Sequence, residues 1–165
     1  MKNTAIIIPT RLKAKRFPNK PLAKINNLPM IVHVLNRAKE SLVGEVLVAT
    51  PDQEIINAVK ENGGQAFLTK NKHLSGSDRV YEAYLKNFEN KVDLIINLQG
   101  DMPNIKPSAI IKLEKLMRSN KCEIGTLASS IKNKNELADT NIVKVQVNQN
   151  LKNEDFMEVK DFFRL

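Results

Sequence analysis

Apolar residues recur along this chain in two rhythms, and the switches between them divide it into elements. Residues 5–8, Ala-Ile-Ile-Ile, form a strand-sized apolar run that Pro9 ends. A long polar loop follows over residues 10–21. Ile31, Val34, Leu35, Ala38 and Leu42 then repeat at helical spacing and give one apolar face. Residues 45–50 predict a second strand. Thr50-Pro51-Asp52-Gln53 has the form of a capping box with proline at the first helical position, opening a helix through Asn62. Gly63-Gly64 stops that helix, because glycine tolerates the left-handed cap.

Beyond the glycines, residues 65–69 predict a short third strand. Ser75-Gly76-Ser77-Asp78 starts a helix, with Ser75 or Ser77 supplying the cap oxygen, in which Val80, Tyr81, Tyr84, Leu85 and Phe88 share a face. Asp93-Leu94-Ile95-Ile96-Asn97-Leu98 reads as the best buried strand, with Gln99-Gly100-Asp101 leaving its carboxyl end. A helix over residues 107–119 follows, then strands near 124–130 and over 141–147. The tail over 151–165 has an apolar face and ends on Phe162-Phe163-Arg164-Leu165, a hydrophobic finish that predicts further chain after it. Strands alternating with helices imply an α/β fold with a mostly parallel sheet flanked by helices.

Composition narrows the class without deciding it. At 165 residues, 42% apolar and 27% charged, the chain suits one globular domain over residues 1–165. No apolar stretch reaches membrane-spanning length, the N-terminus shows no leader cleavage site, and the single cysteine, Cys122, has no disulfide partner. A cytoplasmic protein with no membrane partner is the expectation. The net charge of +8 points to an anionic partner, but the lysines are scattered. Aromatics make up only 5% and tryptophan is absent, so stacking platforms for a nucleic acid are poorly supplied.

In open α/β sheets ligands gather beyond the carboxyl ends of the strands, and three unusual polar segments fall there. The first carries five cations within ten residues, Arg11, Lys13, Lys15, Arg16 and Lys20, stiffened by Pro9, Pro18 and Pro21. Guanidinium and ammonium groups so crowded can neutralise a triphosphate, although a solvated basic loop has the same composition. Neither a P-loop nor a glycine-rich dinucleotide fingerprint is present. The second segment, His73-Leu74-Ser75-Gly76-Ser77-Asp78-Arg79, is a loop with a helix cap and also offers free N–H groups to an anion or a base edge. His73 reads as a structural or solvent-facing histidine rather than as a general base. The third, Leu98-Gln99-Gly100-Asp101-Met102-Pro103, sets a carboxylate at a strand end, where it could join substrate phosphates on Mg²⁺ or simply close an Asx turn.

Taken together the three segments resemble one family. I-I-P-T-R-L-K-A-K-R-F-P-N-K-P-L is similar to the N-terminal signature of 3-deoxy-manno-octulosonate (Kdo) cytidylyltransferases, I-P-A-R-x-x-S-x-R-x-P-x-K-P-L. P-M-I-V-H-V-L, V-A-T-x-D, H-x-S-G-[ST]-[DE]-R and N-x-Q-G-D-x-P follow in the family's order, from about residue 4 to about residue 147. Sialic acid and methylerythritol cytidylyltransferases share parts of the first loop but not the later pair of motifs in this form.

The resemblance implies a Rossmann-like nucleotidyltransferase fold of the glycosyltransferase-A-like kind. It implies transfer of CMP from CTP to Kdo with release of pyrophosphate, for lipopolysaccharide synthesis, with Mg²⁺ as cofactor. Arg11, Arg16 and Lys20 match positions that hold the CTP phosphates, and Ser77 and Arg79 match a segment near the nucleotide. Gln99 matches a residue between nucleotide and sugar. Asp101 matches a magnesium ligand and, with Lys20, the catalytic set. Through D-F-F-R, similar to the family's Y-F-S-R, Arg164 matches a sugar-site residue. Ala14 stands where the family has serine, and the family's longer chains carry a second aspartate ligand, much of the sugar pocket and the usual homodimer contacts beyond Leu165. A remnant that binds nucleotide without catalysis, or a cytidylyltransferase for another sugar acid, is the alternative.

Overall fold

The computed structural model describes residues 3–13, 17–120, 122–147 and 156–164. The chain divides into two compact units, Met1–Glu114 and Lys115–Leu165.

The first unit begins with β1 (Thr4–Pro9), whose six residues are all buried. A single 3₁₀ turn (Lys20–Leu22) and a two-residue hairpin, β2 (Lys24–Ile25) and β3 (Leu28–Pro29), lead into α1 (Met30–Glu40). Then come β4 (Glu45–Thr50), α2 (Gln53–Glu61), β5 (Gln65–Leu68), α3 (Gly76–Asn87) and β6 (Leu94–Asn97), with α4 (Pro107–Asn120) after them. The sheet runs β5-β4-β1-β6 and every pairing in it is parallel. Ile6 faces Val46 on one side and Ile96 on the other, and Ile7 faces Leu47 and Asn97. The chain steps outward from β1 through β4 to β5, then returns past β1 to lay down β6. Strand order therefore reverses between β1 and β6, the topological switch point at which such sheets leave a crevice.

Alternation along β1 explains why the sheet is covered on both faces. Ile6 and Ile8 pack with Val48, Ile96 and Leu98 against Ile31, Val34 and Leu35 of α1, Ile55 and Val59 of α2, and Ile110 of α4. Ala5 and Ile7 point the other way and pack with Leu47 and Ala49 against Val80, Ala83 and Phe88 on and just after α3. Burying one such aliphatic side chain contributes about 1.5–3 kcal/mol. Both faces of β1 are thus closed to water.

Several expectations are corrected. Leu42 does not continue the face of α1: the helix ends at Ser41, and Leu42 takes a left-handed φ of 53° and stands 90% exposed. Tyr81 is 61% exposed, so the core face of α3 runs through Val80, Ala83 and Phe88 instead. No capping box opens α2. Thr50 is the fully buried last residue of β4, so the N-cap falls to Asp52, whose side chain makes no cap bond. Within β6 only Ile96 is buried, because among the described residues this strand has one neighbour and lies at the edge of the sheet. The β2–β3 hairpin was not foreseen, although Asn26 and Asn27 carry it at φ 46° and 67°, conformations that asparagine tolerates better than most residues.

In the second unit α5 (Lys134–Ala138), also unforeseen, is capped by the Asn133 side chain, which accepts from the N–H of Glu136. β7 (Lys144–Val147) and β8 (Val159–Phe163) pair antiparallel, with Val145 opposite Phe162 and an irregularity between Gln146 and Val147. The strand expected over 141–147 is thus shorter than its pattern implied. Residues 124–130 form no strand at all, and Ile124 there is exposed.

These burial assignments separate two leucines seven positions apart. Leu35→Ala is expected to destabilise the fold by about 2–5 kcal/mol, and Leu42→Ser by less than about 0.5 kcal/mol. Urea unfolding midpoints read both, and equal shifts would show the end of α1 to be misplaced.

Candidate functional site

The basic loop leaves the sheet beside the switch point and is tied down by long-range bonds. The Thr10 N–H donates to the Ala49 carbonyl at 3.0 Å, which carries the chain past the end of β4. Arg11 is exposed. The Leu12 N–H donates to Oδ2 of Asp52 at 2.7 Å, across 40 residues of sequence. Further on, the Asn19 N–H donates to the Leu12 carbonyl at 3.0 Å and closes the loop on itself. Asn19 sits at φ 59° and leads into the 3₁₀ turn, where Pro21 is buried. The loop is therefore anchored at Leu12 and at Pro21. Arg16 and Ala14 lie outside the described residues.

The loop after β6 meets this one at very short range. A Cβ on Gly100 would lie 2.9 Å from the Pro9 carbonyl oxygen and 3.0 Å from Cβ of Thr10, so only glycine lets the two loops approach this closely. That approach sets Asp101 opposite Lys20, with Oδ2 3.0 Å from Nζ. Their side chains are 57% and 37% exposed. An exposed pair of this kind contributes at most about 1 kcal/mol, so either partner can be taken by a more highly charged ligand at little cost. Gln99 is exposed and its amide donates to Oδ1 of Asn97 at 3.3 Å.

The start of α3 forms the third side. A Cβ on Gly76 would stand 3.7 Å from Cγ of Pro9, in ordinary contact. The capping box expected at the wrong helix is found here: Ser75 accepts from the Asp78 N–H, and Asp78 accepts from the Ser75 N–H. The Ser75 hydroxyl and N–H hold the Asp78 carboxyl below the usual range. Ser77, in the same turn, is exposed.

Arg79 faces the opposite way and is only 3% exposed. Its Nη1 donates to the Thr69 hydroxyl and, at 3.1 Å, to the Lys70 carbonyl, tying α3 to the end of β5. Burial lowers its pKa and the nearby Arg11 adds to that, while Asp52 and Glu82 work to keep it charged. Burial works against the charge of Glu82 as well. Bonds from His73 Nε2 at 2.5 Å and from the Lys70 N–H at 3.0 Å outweigh it, and the carboxyl stays below its ordinary value. His73 is thus engaged in holding the 69–73 loop, as a structural histidine would be.

Of the residues singled out from sequence, Lys20 and Asp101 are brought into contact. Arg11 lies close enough to Arg79 to bear on its charge. Ser77 and Gln99 lie on the two segments that touch the Pro9 corner. Arg164 belongs to the second unit, where its Nη1 donates to the carbonyls of Thr140 and Asn141 at 3.0 Å each. Asp52 was overlooked. Its carboxylate gives up a helix cap worth about 1 kcal/mol and accepts from Leu12 instead. An aspartate directly after a strand, facing a basic loop, was the available signal.

Comparison with known proteins agrees with this geometry. A family model described as cytidylyltransferase matches residues 5–164. The 3-deoxy-manno-octulosonate cytidylyltransferase of Nitrobacter winogradskyi is 46% identical over 142 residues, 86% of this chain and 56% of that protein. Its counterpart from Thermodesulfovibrio yellowstonii is 44% identical over 153 residues, covering 89% of this chain and 60% of that one. A solved structure of a CMP:2-keto-3-deoxy-manno-octonic acid synthetase complexed with CTP aligns with a TM-score of 0.81 at 34% identity, over 98% of this chain and 64% of that one. The chain spans a little over half the length of these named relatives, and its sheet has the Rossmann-like nucleotidyltransferase arrangement expected from the resemblance. On the match over residues 5–164, the chain belongs to the cytidylyltransferase family.

Proposed function

We propose that this chain binds CTP at the Pro9 corner and transfers CMP to 3-deoxy-D-manno-octulosonate, releasing pyrophosphate. The observation that carries the reading is the contact between Lys20 and Asp101, which sets a cation and a carboxylate against each other at the switch point of the sheet. Relatives at 44–46% identity named for this activity support it.

In this reading the anomeric hydroxyl of the sugar attacks the α-phosphorus of CTP and gives up its proton to solvent; the new O–P bond forms as the bond from that phosphorus to the α,β-bridging oxygen breaks, and pyrophosphate leaves with that oxygen. No covalent intermediate on the protein is needed. Arg11, Arg16 and Lys20 hold the phosphates and offset their charge. Ser77 at the start of α3 and Gln99 after β6 take positions beside the nucleotide and towards the sugar. Arg79 supports the site from beneath rather than by direct contact, because its guanidinium is buried on Thr69 and Lys70. Arg164 is assigned to recognition of the acidic sugar.

The residues present fit a magnesium ion. Asp101 offers an exposed carboxylate beyond the strand end, and among the described residues no group of three or more His, Cys, Asp or Glu could form a cage of its own. A site with one protein carboxylate completed by substrate phosphates suits Mg²⁺. When bound there, Mg²⁺ would neutralise charge on the phosphate oxygens. The same reading places the protein in the cytoplasm, where CTP is made, on the route to lipopolysaccharide, and working as a homodimer. Among the described residues no helix is long and apolar enough to cross a membrane.

The decisive assay is magnesium-dependent pyrophosphate release from CTP with and without Kdo. Release that depends on Kdo is the expected result. CTP binding without release would instead support a nucleotide-binding remnant, and release with a different sugar acid would revise the substrate. Asp101→Asn is expected to lower turnover about 100- to 1,000-fold while leaving thermal melting unchanged; undiminished turnover would remove it from the metal role. Lys20→Ala is expected to weaken CTP far more than cytidine in calorimetric titrations, and equal weakening would sink its assignment to the phosphates.

A further inference from the structure

Asp52 stands where a helix cap is expected and serves a loop instead. It is the N-cap residue of α2, in extended conformation at φ −108° and ψ 120°, yet its side chain makes no bond to its own helix. Its own N–H donates to the Thr50 hydroxyl at 3.2 Å, which holds the turn between β4 and α2 in place. From there Oδ2 reaches across to the Leu12 N–H at 2.7 Å. Leu12 is also the residue on whose carbonyl Asn19 closes the basic loop. One carboxylate therefore fixes the residue through which both ends of the loop are joined.

We infer that Asp52 is a positioning residue of the nucleotide site: through the Leu12 amide it holds the basic loop in the shape that receives phosphates. It touches neither phosphate nor sugar. An acidic residue pointed at a triphosphate would oppose binding, but this one spends its carboxylate on a backbone N–H. Leu12 and Asn19 are thereby set before the ligand arrives, and ordering done in advance is not charged against binding. This inference rests on the proposal that the loop binds CTP.

Substitutions of Asp52, read by amide exchange and by ligand titration, test it. Asp52→Ala removes the acceptor, whereas Asp52→Asn keeps an oxygen at the same place and loses only the charge. Amide exchange followed by NMR reports the Leu12 anchor directly, without any ligand. Titration with CTP and with cytidine reports the site. Asp52→Ala is expected to speed Leu12 exchange and to weaken CTP about 10- to 100-fold, leaving cytidine affinity and the KM for the sugar unchanged. Asp52→Asn is expected to recover the slow exchange and most of the CTP affinity. If Asp52→Ala does not fold, Asp52→Glu, which displaces the same carboxylate by one methylene, is expected to give faster exchange and an intermediate loss of CTP affinity. Unaltered Leu12 exchange and CTP affinity in Asp52→Ala, or equal losses for CTP and cytidine, would overturn the inference. Failure of the unsubstituted protein to bind CTP would instead overturn the functional proposal, while the exchange data would still decide whether Asp52 anchors the loop.

Discussion

Complete burial of β1 between two parallel neighbours fixes where the strand must end, and the candidate site is built outward from that end. Ile6, Ile7 and Ile8 are closed to water on both faces and bonded to β4 and β6 along both edges. A register slip by one residue would exchange the two faces of the sheet, setting Ile7 among the α1 and α2 side chains and Ile6 against α3. Pro9 is therefore held in place by the core. Because the Gly100 backbone lies against it and Gly76 is in contact range, the loop after β6 and the first turn of α3 inherit that accuracy. Chemistry that depends on placing a phosphate to within a fraction of an ångström needs such a reference point.

Weak and strong interactions are divided sensibly over this frame. The bonds that shape the loops use backbone groups: Thr10 to Ala49, Leu12 to Asp52, Asn19 to Leu12. The bond between the two proposed working side chains, Lys20 and Asp101, is an exposed ion pair of small net value. A ligand carrying several negative charges can displace that pair without disturbing the backbone beneath it. Strength in the scaffold and weakness at the contact are what a site that must open and refill requires.

Much of this frame was legible in the sequence because its signals are local. The uninterrupted run before Pro9, the helical spacing from Ile31 to Ala38 and the Gly63-Gly64 stop each depend on a few neighbouring residues, and the observed elements follow them closely. Leu42 and Tyr81 were misread because periodicity assigns a face without knowing where a helix ends or what lies opposite. The capping box at Thr50 failed for a related reason: Thr50 and Asp52 fit a local template, yet one is committed to the sheet and the other to Leu12, and both commitments are long-range. The same gap concealed the pairing of Lys20 with Asp101, 81 residues apart. That both belonged near one ligand could be expected from their positions after strands and from a family resemblance. That they touch could only be seen in the fold.

Arg79 shows why the positive character of the site does not rest on surface lysines alone. Removing a guanidinium from water is expensive, and burial does depress its pKa. The cost is offset by the Thr69 hydroxyl, the Lys70 carbonyl and the charges of Asp52 and Glu82. Exposed lysines move and are screened by salt, whereas a buried and bonded guanidinium does neither to the same degree. The positive character of this region therefore has a buried, hydrogen-bonded component, Arg79 on Thr69 and Lys70, beside its exposed lysines.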